Sequence, residues 1–320
     1  MGLALRRCTA GGAYLDPVRG VKAIRLPTHE VVLPLLATMT AMAGFQVGAA
    51  CAKGLFPAVG PQGAAALRLT LSAVMLMAIA RPWRAWPRPA PLLPLFGLGA
   101  ATGGAVLMFY MAQSRLPQGV AISLQFLGPL AVAVFGSRRV SHLIWAALAA
   151  AGVWALVGVG TGAAAIDPLG VVFALSAAVA WATYILCGRA ASAAFGHSTA
   201  ALAASIAAVL VLPVGVAQAG SALLTPSLLP LALFVALLST AIPFSLELYA
   251  LPRLPARTFA TFTSLEPAFG VVSGFVLLNQ RLTLGQILGV AVVIAAAGGA
   301  AWSSGRQTPA PADIADAPPN

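Results

Sequence analysis

The chain alternates long apolar stretches with short polar ones. Read at the length of about 20 residues that crosses a bilayer as a helix, the apolar stretches predict ten helices. They cover residues 31–52, 62–80, 92–112, 118–137, 143–160, 169–187, 199–217, 229–250, 257–278 and 284–302. One stretch has a weak second copy. RLPQGVAISLQFLGP (115–129) and RLPARTFATFTSLEP (253–267) share Arg-Leu-Pro and a later Pro at the same spacing, 138 residues apart. Shifting the start of the first span, residue 31, by that offset reaches residue 169, the start of the sixth. The pattern therefore predicts two units of five helices, at 31–165 and 166–302. An odd number of spans per unit inverts the second copy relative to the first, and such repeats place a binding site near the membrane midplane between them.

Composition agrees with this reading. Hydrophobic residues make up 60% of the 320 and charged residues 8%, whereas a soluble domain carries about 25% charged residues. The fold class expected is an all-α integral membrane protein. The net charge of +11 does not point to nucleic acid, because the basic residues sit in short loops between apolar spans. With the N-terminus in the cytoplasm, fourteen Lys and Arg fall on the cytoplasmic side and three, Lys53, Arg115 and Arg281, outside; Arg68 lies within a span. That asymmetry follows the positive-inside rule and puts both termini in the cytoplasm. Residues 1–30 hold five basic residues and no long apolar run, and residues 303–320 are rich in Pro, Ala and Asp. Both read as disordered tails. Cys8, Cys51 and Cys187 form no CxxC pair and indicate neither a metal site nor a disulfide framework.

The candidate chemistry lies in the polar residues left inside the spans. A carboxylate in a bilayer costs at least a few kcal/mol and by default marks a transport pathway or proton relay. Of seven acids, Glu247 and Glu266 alone fall in predicted spans. Glu266 lies about 14 Å into its helix at 1.5 Å per residue, and Phe259, Phe262, Thr263, Gly270 and Ser273 share its helical face. It reads as a proton-binding group or as a structural carboxylate locked to Arg68 or to backbone. Glu247, near the inner end of its span, is a second proton-coupling candidate or a group that reaches the interface. Arg68 suits the carboxylate of a substrate through its fork of donors, or else a buried ion pair with a Glu. Gln125 aligns with Thr263 across the repeat and either contacts substrate or bridges helices. Tyr110, Trp181 and Tyr184 line a cavity or belong to an interfacial aromatic belt. Pro129 and Pro267 are expected to break matching helices. A duplicated membrane unit with acids in one copy suggests a secondary transporter.

Two five-helix halves, each with Leu-Pro entering the fourth helix and a Pro within it, resemble the drug/metabolite transporter superfamily (EamA-type). KGLFPAVGPQGAAALRL (53–69), GPLAVAVFGSRR (128–139), WATYILCGRA (181–190) and LPRLPARTFATFTSLEPAFGVVSG (251–274) are similar to its branch of bacterial inner-membrane threonine and homoserine exporters. The resemblance covers roughly residues 31–302. It implies export of L-threonine, L-homoserine and similar small amino acids, by proton antiport with alternating access. Substrate contacts are then expected from Arg68, Gln125, Thr263, Trp181, Tyr184, Tyr110 and Phe259. Two positions depart from the pattern. Gln125 stands where the branch carries Glu, and Leu278-Asn279-Gln280 replaces Leu-Gly-Glu. The alternatives are a transporter of another solute, such as an aromatic metabolite or lipophilic cation, and a non-transporting membrane subunit. His29, His142 and His197 fall in tails or loops, and there is no HExxH, nucleophile elbow or Walker loop. No enzyme activity, cofactor or metal is expected. The partners expected are substrate, protons and the lipid bilayer, with a homodimer left open.

Overall fold

The computed structural model describes residues 29–84, 92–135, 141–158, 166–250, 253–254 and 256–304. The expected tails therefore lie almost wholly outside the described residues. Helices α1 (His29–Ala52) and α2 (Phe56–Ala80) are joined by a 3-10 turn at Lys53–Leu55, and α3 is Leu92–Gln113. Then come α4 (Gln118–Gln125), α5 (Leu127–Phe135), α6 (Ser141–Gly158), α7 (Pro168–Phe195) and α8 (Thr199–Ala219). Helix α9 (Leu229–Ala236) passes through a π turn at Leu237–Ala241 into α10 (Ile242–Ala250). Helices α11 (Ala256–Thr263), α12 (Glu266–Leu278) and α13 (Leu284–Ser304) complete the order, and no strand occurs among the described residues.

Among the described residues, six helical stretches are long and apolar enough to cross a membrane: Val32–Arg84, Leu92–Gln113, Pro168–Gly188, Ala190–Leu224, Thr261–Leu278 and Leu284–Ser303. The first has 53 residues. As one straight helix it would be about 80 Å long, far beyond a hydrocarbon core of about 30 Å. It folds instead as α1 and α2. Helix α2 begins six residues before the expected span, kinked at Gly60 (φ 68°, ψ 172°) ahead of Pro61, and α7 runs eight residues past its expected end. Large apolar side chains such as Leu93, Phe135 and Trp154 are exposed on the bundle's outside. Such a surface is stable in lipid and not in water.

Three expected single helices are interrupted, each beside a proline. Residues 118–135 divide at Phe126, two residues before Gly128 and three before Pro129. Residues 256–278 divide at Ser264 and Leu265, just before Pro267. A proline has no N–H for the carbonyl four residues back and its ring crowds that turn. The chain relaxes by tightening: Leu265 N–H bonds Phe262 O at 3.0 Å and Ala268 N–H bonds Leu265 O at 2.8 Å, both three residues back. In the third case Pro243 follows a π turn, whose Ile242 N–H reaches Leu237 O five residues back. The π turn is not visible in the apolar pattern, because side-chain hydropathy carries no record of one extra residue in a turn.

The main packings are α3 on α7, α2 on α8, α6 on α13, α3 on α8, α1 on α10 and α12, and α4 and α5 on α7. Helix α4 also packs on α12. Each of these pairs joins a helix before residue 160 to one after residue 165, so the two halves of the chain interlock. The contacts are made largely by small residues. Ala64, Ala65, Ala66, Ala204, Ala207 and Ala208 are all buried in the largest core cluster. Small side chains let helix backbones approach closely, which is how helices associate when lipid is as apolar as leucine.

Candidate functional site

Arg68 projects from α2 into the junction of α2, α3 and the π turn. Its Nη1 donates to the Tyr110 hydroxyl at 3.2 Å, and its Nη2 donates to the Ser239 carbonyl at 3.1 Å. The guanidinium also lies 5.6 Å from the centroid of the Tyr110 ring. Pro243 explains why that carbonyl is open, since it offers no N–H to the turn behind it. Beside this, Ser72 Oγ donates to Thr240 Oγ1 at 3.0 Å, a second tie between α2 and the π turn. Helix α1 closes the other side. A Cβ on Gly48 would lie 2.6 Å from Ser239 Oγ and 3.0 Å from its backbone N, so glycine is required for this approach. Arg68 Nε is buried with no hydrogen-bond partner. The alternative of an Arg68–glutamate ion pair is not what the guanidinium makes among the described residues. Its partners are a phenol and a carbonyl, both neutral.

Glu266 is the first residue of α12 and is 8% exposed. It stands where α11 ends and α12 begins, and the first turn of α12 presents its partial positive charge to the carboxylate. Gln46 Nε2 of α1 donates to Glu266 Oε1 at 3.1 Å. Behind Gln46 stands Gln118, the first residue of α4, fully buried. Its Nε2 lies 2.7 Å from Gln46 O, 3.1 Å from Gln46 Oε1 and 2.9 Å from Ser273 Oγ. Gln113 at the end of α3 donates from Nε2 to Gln118 Oε1 at 3.0 Å and to Ala49 O at 2.9 Å. The backbone N–H of Gln118 donates to Gln280 Oε1 at 2.9 Å. Gln280 thus meets one of the open N–H groups at the start of α4. Asn279 just before it adopts the left-handed conformation (φ 52°) that ends α12, a position glycine or asparagine fills well.

The other expected residues are spread through the bundle. Tyr110 is fully buried against Phe56, Phe109 and Arg68, so it belongs to no interfacial belt. Trp181 packs edge-on against Phe126, with ring centroids 5.6 Å apart, at the break between α4 and α5. Gln125, the last residue of α4, is buried at the same break. Tyr184 packs in a cluster with Leu95 and Leu98, and Phe259 in another with Ala37, Ala250 and Leu254. Thr263 ends α11, while Pro129 and Pro267 sit in the first turns of α5 and α12. The side chain of Glu247, in α10, lies outside the described residues. The structure thus brings together Arg68 with Tyr110, but it does not gather all the expected side chains into one cluster. Among the described residues no group of three or more His, Cys, Asp or Glu could hold a metal.

Gln46, Gln113, Gln118, Ser239 and Gln280 are not foreseen from the sequence. The available signal is simple: an amide inside an apolar span needs a partner, because lipid supplies none. At the loop end, Arg115 Nη1 bonds Asp167 Oδ2 at 2.8 Å, and Asp167 Oδ1 accepts from Leu169 N–H at 2.9 Å at the start of α7. The Arg115 guanidinium, then these hydrogen bonds, hold the Asp167 carboxyl below its usual value of 3.8.

An all-helical apolar bundle with a partly buried arginine, a buried glutamate and linked amides is the arrangement of a multi-pass membrane transporter rather than an enzyme. The chain belongs to the EamA-like transporter family, whose description fits residues 168–301. Its relatives include the threonine/homoserine exporter RhtA of Salmonella typhimurium (strain SL1344), 46% identical over 277 residues, which cover 87% of this chain and 94% of that protein. RhtA of Escherichia coli (strain K12) is 45% identical over 269 residues, covering 84% and 91%. A crystal structure described simply as that of a protein shares the fold, with a TM-score of 0.54 and 20% identity over 86% of this chain and 99% of that one.

Proposed function

We propose that this protein is a secondary exporter of small amino acids, L-threonine and L-homoserine among them, working in a bacterial inner membrane by proton antiport. The amino-acid cargo follows from the 45–46% identity to threonine/homoserine exporters along almost their whole length. The observation that carries the mechanism is the state of Arg68. It is a partly buried cation held by neutral groups, with one buried donor, Nε, left without a partner. Drawing a cation even partly out of water without a counter-ion is costly. A substrate carboxylate would supply that counter-ion and use the free Nε. Glu266 is the proton carrier in this reading: it loads a proton when open to the outside and releases it to the cytoplasm as substrate leaves.

Ten spans in two inverted repeats complete the proposal, with both termini cytoplasmic. What supports the repeat is that α4–α5 and α11–α12 break at residues 126 and 264, the same 138-residue offset as the paired Arg-Leu-Pro runs. The packings also exchange under that offset: α3 on α7 corresponds to α10 on α1, and α2 on α8 corresponds to itself. Such symmetry suits two halves rocking about a shared site, with the breaks at Pro129 and Pro267 as hinges.

The test uses Glu266→Gln in proteoliposomes. The variant keeps shape and hydrogen bonding but cannot release a proton. Efflux of threonine driven by an imposed proton gradient is expected to vanish, while exchange of labelled for unlabelled threonine persists. Gradient-driven accumulation by the variant would remove Glu266 from the mechanism and pass the role to Glu247.

A further inference from the structure

The glutamines behind Glu266 form a chain with one direction. Two backbone carbonyls set that direction, because a carbonyl can only accept. Ala49 O is met by Gln113 Nε2, so Gln113 must present its N–H side there. Gln46 O is met by Gln118 Nε2 at 2.7 Å, so Gln118 cannot be reversed either. Gln118 then offers Oε1 to Gln113, and of its two Nε2 hydrogens one is shared between Gln46 O and Gln46 Oε1 while the other meets Ser273 Oγ. With its oxygen so engaged, Gln46 has only its N–H side left for Glu266. The bonds therefore run Gln113 to Gln118 to Gln46 to Glu266, each amide donating toward the carboxylate. Hydrogen bonds in such a series polarise one another in a low-dielectric interior.

We infer that Gln46 is a positioning residue for the proton step, held in its donor orientation by Gln118. A carboxylate accepts from Gln46 as found. A protonated Glu266 that turned its O–H toward α1 would meet an N–H instead, and Gln46 cannot flip without setting its N–H against the N–H of Gln118. The chain thus restricts which face of the carboxyl takes the proton: the one turned away from α1. It also ties this choice to segments far apart in sequence, since Gln118 bonds Ser273 of α12 and Gln280 after it. This inference rests on Glu266 being the proton carrier.

The experiment is a double-mutant cycle in proteoliposomes with Gln46→Met, which keeps length and removes the donor, and Glu266→Gln. Net threonine efflux driven by a proton gradient and threonine exchange are measured for each, beside the amount of protein in the membrane. One bond to a charged group is worth about 1.5–3 kcal/mol, so Gln46→Met is expected to slow driven efflux roughly tenfold or more and to spare exchange. In the Glu266→Gln background, where driven efflux is already gone, exchange is the readout, and Gln46→Met should leave it unchanged because it acts through Glu266. Gln46→Leu, which also removes the donor, should behave like Gln46→Met and serves if that variant is poorly inserted. Equal losses of efflux and exchange, or a loss of exchange when Gln46→Met is added to Glu266→Gln, would mean a packing role and overturn the inference. If Glu266→Gln alone still couples, the proton-carrier reading fails first. If Glu266→Gln uncouples and both Gln46 variants export normally, the fault lies with the inference alone.

Discussion

Replacing Arg68 by lysine tests whether its fork holds substrate. The guanidinium makes two bonds from two different nitrogens, to Tyr110 and to Ser239 O, and keeps a third donor, Nε, free. A lysine ammonium is a compact point charge. It keeps the positive charge but cannot span a carboxylate and both protein acceptors at once. Losing one bond to a charged group costs about 1.5–3 kcal/mol, and each 1.4 kcal/mol is about tenfold in affinity. Arg68→Lys is therefore expected to raise the apparent KM for threonine efflux by about 10–100-fold. Arg68→Met loses both protein bonds, up to about 6 kcal/mol, against the 5–15 kcal/mol by which folded proteins are typically stable. It should lower the amount of protein in the membrane as well. Tyr110→Phe removes one bond and leaves the ring packing intact, so it separates anchoring from substrate contact. The assay is initial efflux rate against internal threonine in loaded vesicles, normalised to protein, with threonine amide as competitor. Wild type should reject the amide, which lacks the carboxylate charge, and Arg68→Lys should discriminate less. If Arg68→Lys exports with the wild-type KM, the arginine serves to tie α2, α3 and the π turn and does not hold substrate.

Further outcomes are expected elsewhere in the molecule. A Cβ on Gly128 would run into the carbonyl oxygen of Ala178 in α7, with the carbonyl carbon at 2.9 Å and Cα at 3.2 Å. Gly128→Ala should cost about 1–3 kcal/mol of overpacking and lower thermal stability in detergent, whereas Gly104→Ala, at an ordinary 3.6 Å from Ala180, should not; equal stability of the two would contradict the packing. In a chain freed of its three cysteines, Cys placed at 167 should react with an impermeant reagent in intact cells and Cys at 197 should not, and the opposite pattern would reverse the topology. Arg115 and Leu169 N–H hold the Asp167 carboxyl below 3.8. Its contribution is therefore complete above that ordinary value and lost as pH falls through the lowered one. Asp167→Asn should remove this acid limb from hydrogen exchange at the start of α7, and an unchanged limb would assign it to another group.

What the sequence determined by itself was the class of molecule. Too few charges to face water, apolar stretches of bilayer length, and basic residues confined to short loops leave a helical membrane protein as the physical solution. Four long runs of residues also carried the family. The charges inside the spans stood out for the same reason, because Arg68 and Glu266 are conspicuous against apolar neighbours. Tertiary structure alone decided what those charges touch. The helices are apolar on all sides, and lipid competes equally for every face, so hydropathy does not say which face meets which helix. Gln46, Gln118 and Glu266 lie 72 and 148 residues apart along the chain, and an amide gives no periodic signal that would pair them. The open carbonyl of Ser239 was equally hidden, since it depends on how the backbone turns before Pro243. Pro129 and Pro267 could be read as breaks because proline's missing N–H is local to the chain. The partners of a buried side chain are not local, and they are settled when the two halves interlock.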